Sequence, residues 1–300
     1  MSDRSTITGS KERGLLSSRK TKGILCILSA AFFFSLMNVF VRLSGDVPSM
    51  QKSFFRNVVA MCFAFSIVWK NRIPLRLPRN TWFDMFCRAG FGTIGILCNF
   101  YAVDHLNLAD ATMLNKLSPF FAIVFSFFLL SEKVSLFQGS CVAIAFAGSL
   151  LIVKPGFVGT PFVPALIGLT GGMAAGIAYT MVRILGKKGV RGPLIVFCFS
   201  AFSSLVLLPN LILNYCPMSL AQFACLILAG LSAAGGQFSI TAAYTYAPAR
   251  ELSVYDYTQV IFGAIFGFFL FGQLPDIYSV LGYIIIIGVA IVMFVKNQES

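Results

Sequence analysis

The chain has 300 residues, of which 57% are hydrophobic and 11% are charged, and its formal net charge is +12. Soluble domains carry roughly 25% charged residues, so this composition excludes an ordinary soluble globular protein. It predicts an integral membrane protein.

Ten apolar stretches follow one another along the chain. A hydrocarbon core of about 30 Å is crossed by a helix of about 20 apolar residues, and the stretches are close to that length. Spans are predicted at 23–43, 53–69, 83–103, 108–130, 136–153, 164–185, 193–213, 221–246, 252–271 and 276–295. The intervening loops are short and leave no room for a soluble catalytic domain.

The basic residues are distributed unevenly between the two sides of the predicted membrane. Residues 1–22 are polar and rich in Ser, Lys and Arg, which predicts a disordered tail. With this tail in the cytoplasm, sixteen of the 23 basic residues fall on the cytoplasmic side and three on the outer side. This asymmetry follows the positive-inside rule. It predicts a multi-pass protein of the cell (inner or plasma) membrane with both termini cytoplasmic, and no nucleic-acid partner.

The second half of the chain repeats the first at an offset of about 140 residues. The run Ala109 to Gly148 recurs as Ala249 to Gly288, with the same order of polar and apolar segments. Residues 23–155 and 164–295 would each hold five spans, and an odd number places the second copy upside down in the bilayer. The predicted fold is therefore an all-α integral membrane protein of ten transmembrane helices in two inverted five-helix repeats. Inverted repeats are typical of secondary transporters.

Two segments at equivalent places carry a resemblance to a known family. The run from Leu108-Ala109-Asp110 to Glu132 and the run from Ala247 to Gln273-Leu274-Pro275 resemble the repeat unit of the EamA family, in the drug/metabolite transporter superfamily. The resemblance implies a ten-helix carrier of small polar or amphiphilic metabolites, with a central cavity lined mainly by spans 1, 3, 4, 6, 8 and 9. One departure is Gln273, where the pattern usually has Glu, as at Glu132. If that group caps a neighbouring helix, Gln273 keeps the hydrogen bond without the charge.

Lys116 in span four and Asp256 in span nine are equivalent positions at the repeat offset of 140. Charge in a bilayer core costs several kcal/mol, so it is retained with a partner or for function. At 1.5 Å per residue the two Cα atoms would lie about 12 Å apart along the membrane normal, which is too far for an unaided ion pair, although lysine reach and helix tilt shorten the gap. Either both face one aqueous cavity, bridged by substrate or water, or each is paired locally, Lys116 with a backbone carbonyl and Asp256 with Arg250 or Arg88. Asp256 is also the candidate for proton coupling.

Uncharged side chains in the spans complete the predicted substrate site, because Asn, Gln and Tyr bind polar solutes yet release them. These candidates are Asn38, Asn99, Tyr101, Asn115, Tyr179, Gln237, Tyr244, Tyr255 and Gln259. Some of them would only join neighbouring helices. Arg56 and Arg88 are expected to extend towards the interface or to brace helix ends.

Glycines spaced four residues apart mark close helix contacts. Gly168, Gly172 and Gly176 share one face of span six, and Gly263 and Gly267 do the same in span nine. Such stripes let helix backbones approach each other in a bilayer. The contacts are either static packing or surfaces that move during transport.

The sequence contains no nucleotide-binding loop and no nucleophile–base set, and its single histidine, His105, cannot complete a metal site. No enzymatic activity, metal or cofactor is therefore expected. The leading hypothesis is a secondary carrier of a small metabolite, such as a zwitterion or an organic anion, within the lipid bilayer. The alternatives are a non-transporting receptor or scaffold, or an integral membrane enzyme. The solute, the direction of transport, the coupling ion and homodimer formation stay open.

Overall fold

The computed structural model describes the backbone of residues 3–130, 135–154, 161–246 and 253–299. Side chains are described for residues 21–125, 127–129, 135–154, 161–240, 242–243 and 255–296. All regular structure in this part of the chain is helical. The helices are α1 (Asp3–Leu43), α2 (Ser49–Lys70), α3 (Trp82–His105), α4 (Leu108–Asn115), α5 (Ser118–Leu130), α6 (Leu136–Val153), α7 (Phe162–Lys187), α8 (Gly192–Leu213), α9 (Leu220–Tyr246), α10 (Thr258–Phe271) and α11 (Ile277–Glu299).

Within the described residues, nine helical segments are long and apolar enough to cross a membrane, and Tyr255–Phe271 is a shorter apolar helix. These segments overlap the ten predicted spans, with ends that differ by up to six residues, and the predicted start of the ninth span at 252 lies outside the described residues. The protein is therefore a multi-pass integral membrane protein.

The first helix begins earlier than the sequence suggests. Helix α1 starts at Asp3, whereas its apolar part starts at Thr21. This differs from the disordered tail expected over residues 1–22. No proline interrupts that segment, and extending an existing helix is easier than nucleating a new one. The helix of the first span therefore extends back into the tail.

The fourth span is broken near its middle, whereas a continuous span was expected over residues 108–130. Helix α4 ends at Asn115, and α5 begins at Ser118. Pro119 explains the break, because proline lacks an N–H and its ring clashes with the carbonyl four residues earlier, here that of Asn115. The ninth span is irregular at the corresponding place, where the 3₁₀ turn Ser253–Tyr257 precedes α10.

The helices of the two halves pack against each other in matched pairs. Helix α1 packs on α9, and α3 packs on α7. Helix α5 contacts α7, and α1 contacts α10, while α2 meets α8, α4 meets α10 and α6 meets α11. Each first-half span has a second-half counterpart; for example, α7 corresponds to α1 and α9 corresponds to α3. If every span is replaced by its counterpart, each contact in this set becomes another contact of the same set. The centre of the protein is thus formed jointly by both halves.

Glycines permit the closest of these contacts. A Cβ atom added to Gly171 on α7 would lie 2.9 Å from the Cβ atom of Cys98 on α3. A Cβ atom added to Gly172 would overlap the carbonyl oxygen of Leu114 in the last turn of α4. The predicted glycine stripe on α7 therefore lies directly against the break in the fourth span.

Candidate functional site

A cavity of about 120 Å³ (the space open to the centres of water molecules) lies at the centre of the helix bundle. Eight of the predicted site residues line it, and they come from both halves of the chain: Asn38, Asn99, Asn115, Lys116, Tyr179, Gln237, Asp256 and Gln259. Phe34, Met37, Ile96, Phe100 and Ile240 add apolar surface. The cavity can therefore hold a small molecule that has both polar and apolar parts.

Lys116 and Asp256 form a direct ion pair in this cavity. The Nζ atom of Lys116 lies 2.5 Å from Oδ2 of Asp256, and the two side chains are 9% and 15% exposed. The expectation that the two positions lie too far apart for an ion pair is therefore wrong. That estimate compared Cα depths, whereas the four-carbon stem of lysine reaches across the gap. Of the two alternatives in the sequence analysis, the shared cavity is observed, with direct contact in place of a bridging group.

Irregular backbone at two places positions this pair. Lys116 follows the last residue of α4, and Asp256 lies in the 3₁₀ turn before α10. The Tyr257 hydroxyl donates a hydrogen bond of 3.2 Å to the carbonyl oxygen of Lys116, which satisfies a backbone group at the break. The second carboxylate oxygen of Asp256, Oδ1, is buried and has no hydrogen-bond partner among the described residues. One oxygen of the carboxylate thus remains available.

Arg56 and Arg88 also line the cavity, contrary to the positions expected from the sequence. Both were expected to extend towards the interface or to brace helix ends, but they are only 4% and 8% exposed. The guanidinium carbon of Arg88 lies 4.2 Å from the ring centre of Phe199, a cation–π contact. Depth along a helix does not reveal which way a side chain faces. The missed signal was two charges within spans without an obvious acidic partner.

The uncharged candidates fall into four groups. In the cavity, Asn99 Nδ2 lies 3.4 Å from Asn38 Oδ1, and Tyr179 is 51% exposed. Tyr101 lines a separate pocket with Asp104, and its ring stacks on His105 at 4.1 Å. Tyr255 packs against the small apolar cluster of Ile27 and Ala243 and is not among the residues that line the central cavity. The side chain of Tyr244 lies outside the described residues.

Comparison with known proteins identifies the family. The sequence profile of the EamA-like transporter family matches this chain twice, at residues 21–154 and 163–295. The chain belongs to the EamA-like transporter family. It is therefore a transporter and not an enzyme, and the resemblance seen in its sequence is confirmed.

Individual relatives of this transporter move different solutes. The chain is 29% identical to the pseudopaline exporter CntI of Pseudomonas aeruginosa, over 90% of this chain and 95% of that protein. It is 24% identical to the S-adenosylmethionine uptake transporter of Rickettsia prowazekii, over 86% of each protein. A solved crystal structure with 16% sequence identity covers 93% of this chain and 99% of its own, with a TM-score of 0.63. That last likeness shows the fold alone.

The departure at Gln273 now has a structural explanation. The backbone N–H of Leu108, the first residue of α4, donates a hydrogen bond of 3.0 Å to Oε1 of Gln273. The prediction that Gln273 can cap a neighbouring helix without a charge is confirmed. Glu132, the corresponding residue of the first half, lies outside the described residues.

Proposed function

We propose that this transporter is a secondary carrier that moves a small polar or amphiphilic metabolite across the cell membrane by alternating access. In this proposal residues 23–155 and 164–295 are inverted five-helix repeats, and both termini, with the tail at residues 1–22, lie in the cytoplasm. Two observations support the repeats: the family profile matches each half separately, and the helix contacts are unchanged when the halves are exchanged. Carriers built from such repeats rock about a site near the midplane.

The observation that carries the proposal is the ion pair between the halves inside the central cavity. Lys116 belongs to the first half and Asp256 to the second, and they are the only oppositely charged residues that meet among the described residues lining this cavity. A solute that binds here contacts both halves at once. It therefore can favour one relative arrangement of the halves over the other, as a carrier requires.

Asp256 gives the proposed carrier a route to proton coupling. A proton that adds to Oδ1 neutralises the carboxylate and weakens its bond to the Lys116 ammonium. The released ammonium then attracts an anionic group of the solute. Loss of the proton on the other side restores the ion pair and expels that group. In this scheme one proton would thus cross together with each solute molecule.

A metabolite screen followed by flux measurement tests the carrier function. Solutes that raise the unfolding temperature of the purified full-length chain bind its folded state, and these would then be assayed in proteoliposomes. We expect counterflow of at least one such solute, dependence on a pH gradient in the wild type, and loss of that dependence in Asp256→Asn with solute exchange retained. Wild-type pH response in Asp256→Asn would refute the coupling role. Absence of flux for every stabilising solute would refute the carrier function.

The membrane orientation needs a separate measurement. Reporter fusions at Ser10 and Gln298 should both report the cytoplasmic side. Opposite locations would mean an odd number of spans, and the inverted-repeat arrangement would then be wrong.

A further inference from the structure

The cavity contains more positive than negative charge. Lys116, Arg56 and Arg88 line it, whereas Asp256 is the one carboxylate among its described lining residues. Asp256 is bound to Lys116. Among the described residues, no carboxylate lies within ion-pair distance of either arginine. Two guanidinium groups therefore have no counter-ion among the described residues and lie beside a closed ion pair.

Arg88 is held in place by apolar contact and not by acceptors. Its guanidinium lies over the Phe199 ring at 4.2 Å, and its Nε atom is buried without a hydrogen-bond partner in the described structure. A Cβ atom added to Gly92, one turn further along α3, would overlap Nη1 of Arg88 and lie 2.8 Å from Phe199. The absence of a side chain at Gly92 thus creates the space in which this guanidinium lies. An arginine that braced a helix end would bond to backbone carbonyls, and Arg88 bonds to none that the structure describes.

Arg56 is oriented by a short polar relay. Its Nη1 atom donates a hydrogen bond of 2.7 Å to Oδ1 of Asn57, and Asn57 Nδ2 donates one of 2.7 Å to the Ser203 hydroxyl. The Nε atom of Arg56 is buried and has no partner among the described residues. Neither neighbour in this relay carries a charge. The relay fixes the direction of the guanidinium but does not neutralise it.

The two guanidinium groups face a common region of the cavity. Both line the same cavity, together with Tyr179. Holding two like charges together in a buried site is unfavourable unless a counter-ion is present for part of the functional cycle. Guanidinium groups bind carboxylates and phosphates through paired, planar hydrogen bonds. The missing counter-ion is therefore best supplied by an oxyanion.

We propose that Arg56 and Arg88 form a subsite for a carboxylate or phosphate group of the transported molecule. This inference rests on the proposed carrier function and narrows its substrate class to organic anions or zwitterions. The subsite is separate from the Lys116–Asp256 pair, so a molecule with a second polar group can occupy both. The Asp256 carboxylate then accepts hydrogen bonds from an amino group of the molecule. Alternatively, the Lys116 ammonium group binds a second oxyanion once the ion pair opens.

Thermal unfolding of the purified full-length protein tests the subsite with defined probes. Succinate is compared with succinamide, and glycerol 3-phosphate with glycerol, each at equal ionic strength adjusted with sodium chloride. We expect at least one oxyanion to raise the unfolding temperature while its neutral counterpart does not. The first pair reports a carboxylate preference and the second a phosphate preference. Failure of both oxyanions to stabilise the wild type would overturn the proposal.

Substitutions assign the effect to these two arginines. Arg56→Gln and Arg88→Gln should each weaken oxyanion binding by about 10- to 100-fold, since each removes a charged hydrogen-bond donor. Without ligand, Arg88→Gln should unfold at the wild-type temperature or above, because it removes an uncompensated charge. Arg76→Gln, in an exposed loop, should change neither property. A lower unfolding temperature with an unchanged anion response would show that Arg88 is a structural brace.

A glycine pair provides a control that keeps all charges. Gly92→Ala should displace the Arg88 guanidinium and weaken oxyanion binding, whereas Gly90→Ala, with no atom within 4 Å of its added Cβ, should not. Equal anion responses in both variants would contradict the geometry.

Flux data separate this proposal from the carrier function. If Arg56→Gln and Arg88→Gln transport the wild-type solute at full rate, the subsite is wrong and the carrier stands; if no stabilising solute is transported, the carrier is wrong, and the unfolding data still decide the subsite.

Discussion

Lys116 and Asp256 are 140 residues apart in sequence, yet their side chains meet at 2.5 Å in the centre of the protein. Each lies where its span departs from a regular α-helix, between α4 and α5 for Lys116 and in the 3₁₀ turn before α10 for Asp256. Such interruptions expose backbone groups as well as side chains, which is how many carriers build sites at membrane depth. The two halves of this transporter are thus linked by charge at the point where both depart from regular helix.

The ion pair should be more sensitive to single than to double substitution. Lys116→Met or Asp256→Asn leaves one charge uncompensated, and we expect each to destabilise the protein by about 1–3 kcal/mol, less than the 3–5 kcal/mol typical of fully dry pairs because these side chains border a cavity. The double variant should recover most of that loss. Thermal unfolding of the four proteins measures the coupling, with Lys70→Met on an exposed helix end as the control. Additive losses in the double variant would show that the two charges do not depend on each other.

The sequence predicted the spans well because membrane segments are defined by length and apolarity, which are local properties. It also singled out Lys116 and Asp256 as candidates for one shared cavity, since the repeat made them equivalent, but it left local pairing open. Pro119 was available to predict the end of α4 at Asn115, but the uninterrupted apolar run of residues 108–130 obscured it. The ion-pair distance was misjudged because side-chain reach was given too little weight.

The orientation of side chains around each helix could not be predicted in the same way. Arg56 and Arg88 were assigned to helix ends from their positions along the spans, but packing turns both towards the cavity. Tyr101 lies two residues after Asn99 on α3, a rotation of about 200° in an α-helix, and it lines a different pocket. Only the three-dimensional arrangement of neighbouring helices decides such cases.

Gln273 should cap the start of α4 through its side-chain oxygen, and its amide nitrogen should not be needed. Gln273→Ala removes the acceptor for the Leu108 N–H at the start of α4, and we expect a loss of about 0.5–2 kcal/mol, as for other lost caps. Gln273→Glu should retain stability, because a carboxylate also accepts this bond and suits a helix N-terminus. Thermal unfolding of both variants is the measurement. Equal destabilisation by Ala and Glu would show that the amide makes a further contact essential to the fold.

Asp276 lies just before the membrane-spanning segment Ile277–Lys296 and should give the protein a component of acid sensitivity. Partial burial favours a raised pKa for its carboxyl group, but hydrogen bonds from Lys154 at 2.5 Å and from the Ser279 N–H at 2.8 Å outweigh burial and hold the pKa below its usual value. A pKa depressed in the folded state adds stability at neutral pH, and that stability is lost as the pH falls below about 4. The unfolding temperature should therefore drop less between pH 7 and pH 3.5 in Asp276→Asn than in the wild type. Lys154→Gln should flatten the profile in the same direction, and an unchanged drop in both variants would contradict this assignment.

Gly172 tests whether the contact between α7 and the broken fourth span moves during transport. Any side chain at this position meets the carbonyl oxygen of Leu114, so Gly172→Leu must separate α7 from α4 and should cost about 1–3 kcal/mol, as overpacking does elsewhere. The matched control is Gly186→Leu on the same helix, where an added Cβ has no atom within 4 Å. If the halves rock across this contact, Gly172→Leu should bind solute nearly normally but transport it more slowly per folded molecule, while Gly186→Leu matches the wild type in both assays. Proteoliposome flux, normalised to the folded protein and compared with solute-induced stabilisation, separates the two steps. Wild-type flux per folded Gly172→Leu molecule would mean that the glycine stripe only packs the helices, because a contact that must slide cannot tolerate a leucine wedged against a backbone carbonyl.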